Sequence, residues 1–182
     1  MSTNLWHDIP RGTLEELNVI IEIPKNSPNK YEIDKETGLI ALDRANYSAA
    51  AYPFDYGYVP QTLWEDNDPL DVIVMTTYPL HPGILVKVRP LGVIEMIDDG
   101  ESDYKIVSVP VNDRRFEYAR DIDDINKHTI KEYIHFFETY KALKKDGEVV
   151  PVEISGYKGR DAALEAVKKS FLLYDEKYGD QA

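Results

Sequence analysis

The chain contains no cysteine, which removes disulfides, thiolate nucleophiles and cysteine-ligated zinc or iron–sulfur centres together. Its chemistry must come from oxygen and nitrogen. Histidine is nearly as scarce. His7, His81, His128 and His135 form no close ligand pair, so surface or packing roles fit them better than zinc binding. No apolar run reaches the length of a membrane span. The stretch Met1-Ser2-Thr3-Asn4-Leu5-Trp6 lacks the basic and apolar regions of a signal peptide, and the expectation is a cytoplasmic protein. Positive charge is also short, with 21 Lys and Arg against 33 Asp and Glu and a net charge of -12. That balance argues against nucleic acid and against a membrane surface as partners, since both need a positive field. An anionic ligand stays open to it, because carboxylates attract divalent cations and the cations attract phosphate.

What is abundant is acid, and it is most concentrated in Asp66-Asn67-Asp68-Pro69-Leu70-Asp71, three carboxylates in six residues with a proline to stiffen the turn. A strand is expected at once in Val72-Ile73-Val74-Met75, which sets the carboxylates on the rim of a rigid element. An acidic surface turn has the same composition. A calcium loop of the EF-hand kind does not, because it would need a ligand at Leu70, glycine at Asp71 and glutamate at Thr77. The company this segment keeps decides between a turn and a metal site.

The 182 residues, 43% of them hydrophobic, suit one compact domain over 1–182, and no linker-like run divides them. Leu17-Asn18-Val19-Ile20-Ile21-Glu22-Ile23 is a buried strand ended by Pro24. Lys30-Tyr31-Glu32-Ile33-Asp34 alternates, with Lys30, Glu32 and Asp34 on a face open to lining a site or meeting water, the second being the usual fate of charged strand residues. Leu39 to Arg44 completes a hairpin with it. Tyr52 to Pro60, dense in tyrosine, proline and glycine, reads as a rigid loop with oriented phenols. Ile84 to Met96 is a long strand bent near Pro90 and Gly92. The acidic group Asp98-Asp99-Gly100-Glu101-Ser102-Asp103 then tips a hairpin whose return strand is Tyr104 to Val109. Val149 to Ile154 is a further strand.

Helical spacing takes over in Ile130, Tyr133, Ile134, Phe137 and Tyr140, through about residue 144. It returns in Leu164, Val167, Phe171, Tyr174 and Tyr178, with Asp161 as the expected cap. Strands followed by helices predict an α+β fold, a small closed β-barrel of about five strands flanked by two C-terminal α-helices.

With these segments in order, the chain resembles the soluble, Mg²⁺-dependent inorganic pyrophosphatases of the single-barrel, prokaryotic type, over nearly its whole length. The family signature of Asp, a small or polar residue, Asp, Pro, an aliphatic, Asp and another aliphatic is matched by Asp66 through Val72. Other landmarks follow in order: Glu22 in Ile-Glu-Ile-Pro, Lys30 and Glu32 in Lys-Tyr-Glu, Arg44 after Leu-Asp, and Tyr56 in Tyr-Gly-Tyr. Asp98, Asp103 and Lys105 come next, then Tyr140-Lys141 after His135-Phe136-Phe137-Glu138.

The resemblance implies an OB-like barrel and hydrolysis of pyrophosphate to two phosphates, by direct attack of a water activated between Mg²⁺ ions. Mn²⁺ or Zn²⁺ are possible substitutes. It implies Asp66, Asp71 and Asp103 as ligands of the tightest metal, Asp98 with Asp103 for a metal that arrives with substrate, and Glu32 and Glu22 as supporting carboxylates. Asp68 would accept the proton of the attacking water. Lys30, Arg44, Tyr56, Lys105, Tyr140 and Lys141 would grip the two phosphates. It also implies a homohexamer, for which a helix face carrying Tyr133 and His135 is a candidate contact. One departure is visible: Pro151 stands where family members often carry lysine. A non-catalytic barrel binding calcium or a phosphorylated ligand, and a hydrolase of nucleoside polyphosphates, stay open beside this reading. The second lacks a Gly-rich loop ending in Gly-Lys-Ser/Thr.

Overall fold

A computed structural model describes residues 3–144 and 152–179. Along the chain run β1 (Leu17–Ile23), β2 (Asn29–Ile33), β3 (Ile40–Ala45), β4 (Asp55–Tyr58), β5 (Asp71–Val74), β6 (Leu85–Asp98), β7 (Glu101–Ser102), β8 (Lys105–Pro110), α1 (Lys127–Thr139), β9 (Val152–Gly159) and α2 (Arg160–Tyr178). Strands β1, β4, β5, β8 and β6 pair in that order, and β6 returns to pair with β1. The ring of five is therefore closed, as the α+β barrel reading requires, and two helices follow in the C-terminal third. No helix among the described residues is long and apolar enough to cross a membrane.

Closure depends on bending. The long β6 pairs with β1 and β8, carries β9 on its later half, and shifts register between Pro90 and Gly92 and again between Glu95 and Met96. Proline cannot donate to a ladder and glycine has no side chain to pack, so the bend falls where the sequence places both. The pair β5–β8 is parallel, so both strands begin at the same end of the barrel. Alternate strand residues feed two apolar clusters. Ile73, Ile94, Met96 and Val107 pack with Ile130, Tyr133, Phe136 and Phe137 of α1, while Val72, Val93 and Ile106 pack with Ala163, Ala166 and Val167 of α2.

Four expectations need correction. Residues 55–58 are not loop but the fully buried strand β4. Their proline- and glycine-rich setting hides a strand whose Gly57 allows contact with β1: a Cβ there would lie 1.9 Å from the Ile20 carbonyl oxygen. Gly57→Ala should therefore cost on the order of 3 kcal/mol; a urea midpoint equal to the parent's would refute the close approach.

The cap of α2 is also different. Gly159 occupies the N-cap and makes no side-chain bond, and Asp161 lies inside the first turn. The Arg160 N–H instead donates to Asp121 Oδ2 at 2.8 Å, a cap delivered by a distant loop. Helix α1 stops at Thr139, short of residue 144. Finally, Tyr133 is buried against Phe54, with ring centroids 4.8 Å apart, whereas His135 is exposed. The two do not form one free face. The early part of the strand expected over 149–154, and the departure at Pro151, lie outside the described residues; β9 begins at Val152.

Candidate active site

At the barrel end where β5 and β8 begin, Asp71 and Lys105 sit side by side in register. The acidic loop enters β5 there. Asp66 Oδ1 accepts the Asp68 N–H at 3.0 Å, the Asp68 carbonyl accepts the Trp64 N–H at 2.7 Å, and Asn67 takes a left-handed φ of 66° to allow the turn. Across the opening, Asp98 ends β6, and Asp99-Gly100, both at positive φ, turn the chain back through β7 toward Asp103. The Asp103 N–H donates to the Met96 carbonyl at 2.9 Å. Glu22 on β1 is buried, and its Oε1 accepts the Ile33 N–H at 2.7 Å, which ties the β2–β3 hairpin to the barrel.

Between these elements lies a cavity of about 400 Å³. All thirteen residues singled out from the sequence line it: Glu22, Glu32, Asp66, Asp68, Asp71, Asp98 and Asp103, with Lys30, Arg44, Tyr56, Lys105, Tyr140 and Lys141. Lys30 and Glu32 line the cavity while Glu32 stays 53% exposed, so the polar face of β2 meets both the site and water. The hairpin pairs with no barrel strand, so strand alternation alone could not tell cavity from water.

The acids are crowded and the bases are threaded among them. Lys105 is buried, 2.5 Å from Asp71 Oδ2 and also paired with Asp103. Burial works against its charge, but Asp103 and Asp71 outweigh it and push its pKa up. Burial likewise pushes up Asp71, against the pull of Lys105, because one ammonium serves two carboxylates. The direction that governs the group is a retained Lys105 charge with negative charge left over. The Tyr56 hydroxyl donates to Asp71 Oδ2 at 2.6 Å, and Lys141 pairs with Asp98. Lys30 spans Glu32 and Asp43, each at 2.8 Å, and Arg44 lies 2.6 Å from Asp43.

Most of the chain matches a known family. The family model of inorganic pyrophosphatase covers residues 19–175. The chain belongs to the inorganic pyrophosphatase family. It is 40% identical to the inorganic pyrophosphatase of Haloferax volcanii over 177 residues, 96% of this chain and 98% of that one. The identity is 46% with that of Synechocystis sp. over 158 residues, 87% and 91% of the two chains. The crystal structure of inorganic pyrophosphatase from Thermus thermophilus superposes with a TM-score of 0.89 at 43% identity, covering 95% of this chain and 99% of that one. The protein is thus an enzyme, a hydrolase acting on pyrophosphate.

The pyrophosphatase cavity suits a hard divalent cation, because the anionic groups that line it are all carboxylates, with no thiolate or imidazole beside them among the described residues. Asp98 Oδ1 is buried without a hydrogen-bond partner, and an unpaired buried oxygen is costly unless something else meets it. As the side chains stand, no group of three acids or histidines among the described residues closes a metal shell. The Lys105 ammonium takes the place of positive charge between Asp71 and Asp103.

Asp66 reports the same strain. Burial, with Asp71, Asp103 and Asp68 nearby, raises its pKa from 3.8 to about 7, against a lowering backbone bond from Asp68. In the metal-free protein the native state then keeps a proton that the unfolded chain releases. Stability should fall as pH rises from about 4 to about 7 and level off above. Thermal melts in chelator across that range test the sign, and a rising Tm would refute the crowding.

Sequence reasoning missed several residues at this site. Lys35, Tyr52, Asp99, Glu101 and Lys144 also line the cavity, and Asp43 anchors both Lys30 and Arg44. Tyr52, Asp99 and Glu101 belong to segments already singled out, so a signal existed for them. Lys35 sits in an ordinary polar turn and gave none.

Proposed function

We propose that the enzyme hydrolyses inorganic pyrophosphate by direct attack of water on one phosphorus, with Mg²⁺ as cofactor and Asp68 as proton acceptor. The observation that carries this is one cavity in which carboxylates are interleaved with lysine, arginine and tyrosine side chains. Asp66, Asp71 and Asp103 would hold the tightest metal, Asp98 with Asp103 another, with Glu32 and Glu22 in support. When bound, Mg²⁺ supplies charge neutralisation and acidifies the attacking water.

The chain's own residues do the rest. Asp68 is 51% exposed, against 21% for Asp71 and 15% for Asp103. A carboxylate facing solvent can take a proton and pass it on, whereas the enclosed ones suit ligation. Lys30, Arg44, Tyr56, Lys105, Tyr140 and Lys141 orient the two phosphates and offset their charge, arginine as a fork and lysine as a point charge. The new P–O bond comes from water, the bridging P–O bond breaks, and its electron pair leaves on the second phosphate. No covalent enzyme intermediate is needed.

The test is phosphate release from pyrophosphate, ATP and a simple phosphomonoester, each with and without Mg²⁺. Rapid release from pyrophosphate alone, and only with Mg²⁺, is expected. Equal rates on ATP would replace this reading with a nucleoside polyphosphate hydrolase. We also place the enzyme in the cytoplasm as a homohexamer. Light scattering should then give a mass well above the 20.9 kDa of one chain, and a monomer mass at every concentration would count against it.

A further inference from the structure

The β2–β3 hairpin carries Lys30, Glu32 and Arg44 yet forms a sheet of its own, so its placement over the cavity depends on contacts outside the strand ladders, among them the Ile33 N–H to Glu22 and the Leu5 N–H to the Gly38 carbonyl. Its turn is rigid. Asp34 closes it, with one carboxylate oxygen accepting the Glu36 N–H at 2.9 Å, the other the Thr37 hydroxyl at 2.9 Å, and its carbonyl the Gly38 N–H at 2.7 Å. From this turn Lys35 reaches across the opening. Its ammonium pairs with Asp68 and lies 3.4 Å from the Asn67 carbonyl oxygen. Among the described residues Lys35 is the one ion-pair partner of Asp68. Asn67 itself holds a left-handed backbone, which costs free energy and persists only where neighbours fix it. Lys35 is such a neighbour, and Lys177 of α2 is a second, 3.3 Å from Asn67 Oδ1.

We propose that Lys35 is a positioning residue for pyrophosphate hydrolysis, holding the Asp68 carboxylate in one orientation at the cavity mouth. This rests on Asp68 being the proton acceptor. Both partners are about half exposed, and ion pairs of that kind contribute little to stability. The contribution of Lys35 should therefore appear in turnover and not in Tm. An exposed carboxylate without it is free to rotate, and a misplaced reacting group loses rate.

The test is a double-mutant cycle on the Mg²⁺-saturated enzyme with pyrophosphate. Lys35→Met should lower kcat roughly two- to fivefold, the ceiling for an exposed pair, with KM and Tm close to the parent's. Lys35→Arg should recover most of the loss, and Lys35→Gln should repeat the Met result should Met perturb the turn. In the Asp68→Asn background Lys35→Met should cost nothing further. A raised KM with kcat unchanged would make Lys35 a substrate ligand instead. Unchanged or increased kcat, or a loss that multiplies with that of Asp68→Asn, would also overturn the proposal while leaving Asp68 as acceptor. If Asp68→Asn alone kept parental turnover, the acceptor assignment itself would be the one to fail.

Discussion

Excess chelator should take phosphate release from pyrophosphate to the limit of detection, and Mg²⁺ should restore it. The expectation follows from charge. Without a cation the cavity holds more carboxylate than its bases neutralise, since nine Asp and Glu side chains line it against five lysines and one arginine. Pyrophosphate is a polyanion, and it cannot approach that wall uncompensated. Lys105 pairs with both Asp71 and Asp103, so it cannot give its full charge to phosphate while it neutralises both. A divalent cation would take over those carboxylates and free the ammonium to face phosphate. Ca²⁺ should bind but support little turnover, since it is larger and accepts looser geometry than Mg²⁺. The check is release measured across chelator, Mg²⁺ and Ca²⁺ titrations, and full activity in excess chelator would overturn the metal reading.

How far the site could be read in advance depended on whether the signal was local. The strand Leu17–Ile23 ends in the structure where the apolar run meets Pro24, because a buried run and its terminator are adjacent in the chain. The acidic loop and the hairpin tip were legible for the same reason. What was not legible came from elsewhere in the molecule. Asp121 caps α2 from a loop 39 residues away. The face of β2 is settled by a hairpin tied to the barrel through Glu22 and Ile33, not by alternation. Tyr56 and Tyr58 looked like loop phenols until β1 and β5 flanked them, with Ile20 opposite Tyr58 and Ile73 opposite Tyr56. Burial followed from pairing, and pairing is a long-range property. Convergence of the cavity is of the same kind: only the closed ring and the parallel β5–β8 pair bring Asp71, Lys105 and Asp98 to one mouth.

Asp68→Asn should lose turnover on the order of 10²–10⁴-fold while metal binding largely survives. The substitution keeps the shape and removes the basic oxygen, and the loop should hold. The backbone of residue 68 makes the bonds that shape it, to Asp66 Oδ1 and the Trp64 N–H, and asparagine keeps both. Asp71→Asn should behave differently. That carboxylate is enclosed, bonded to the Tyr56 hydroxyl and to Lys105, and as a ligand its loss should appear first as weaker metal affinity. Part of the activity of Asp71→Asn should therefore return at high Mg²⁺, whereas that of Asp68→Asn should not. A Mg²⁺ titration of both variants beside the parent separates the two. If excess metal rescued Asp68→Asn and left Asp71→Asn inactive, the acceptor and ligand roles would have to be exchanged.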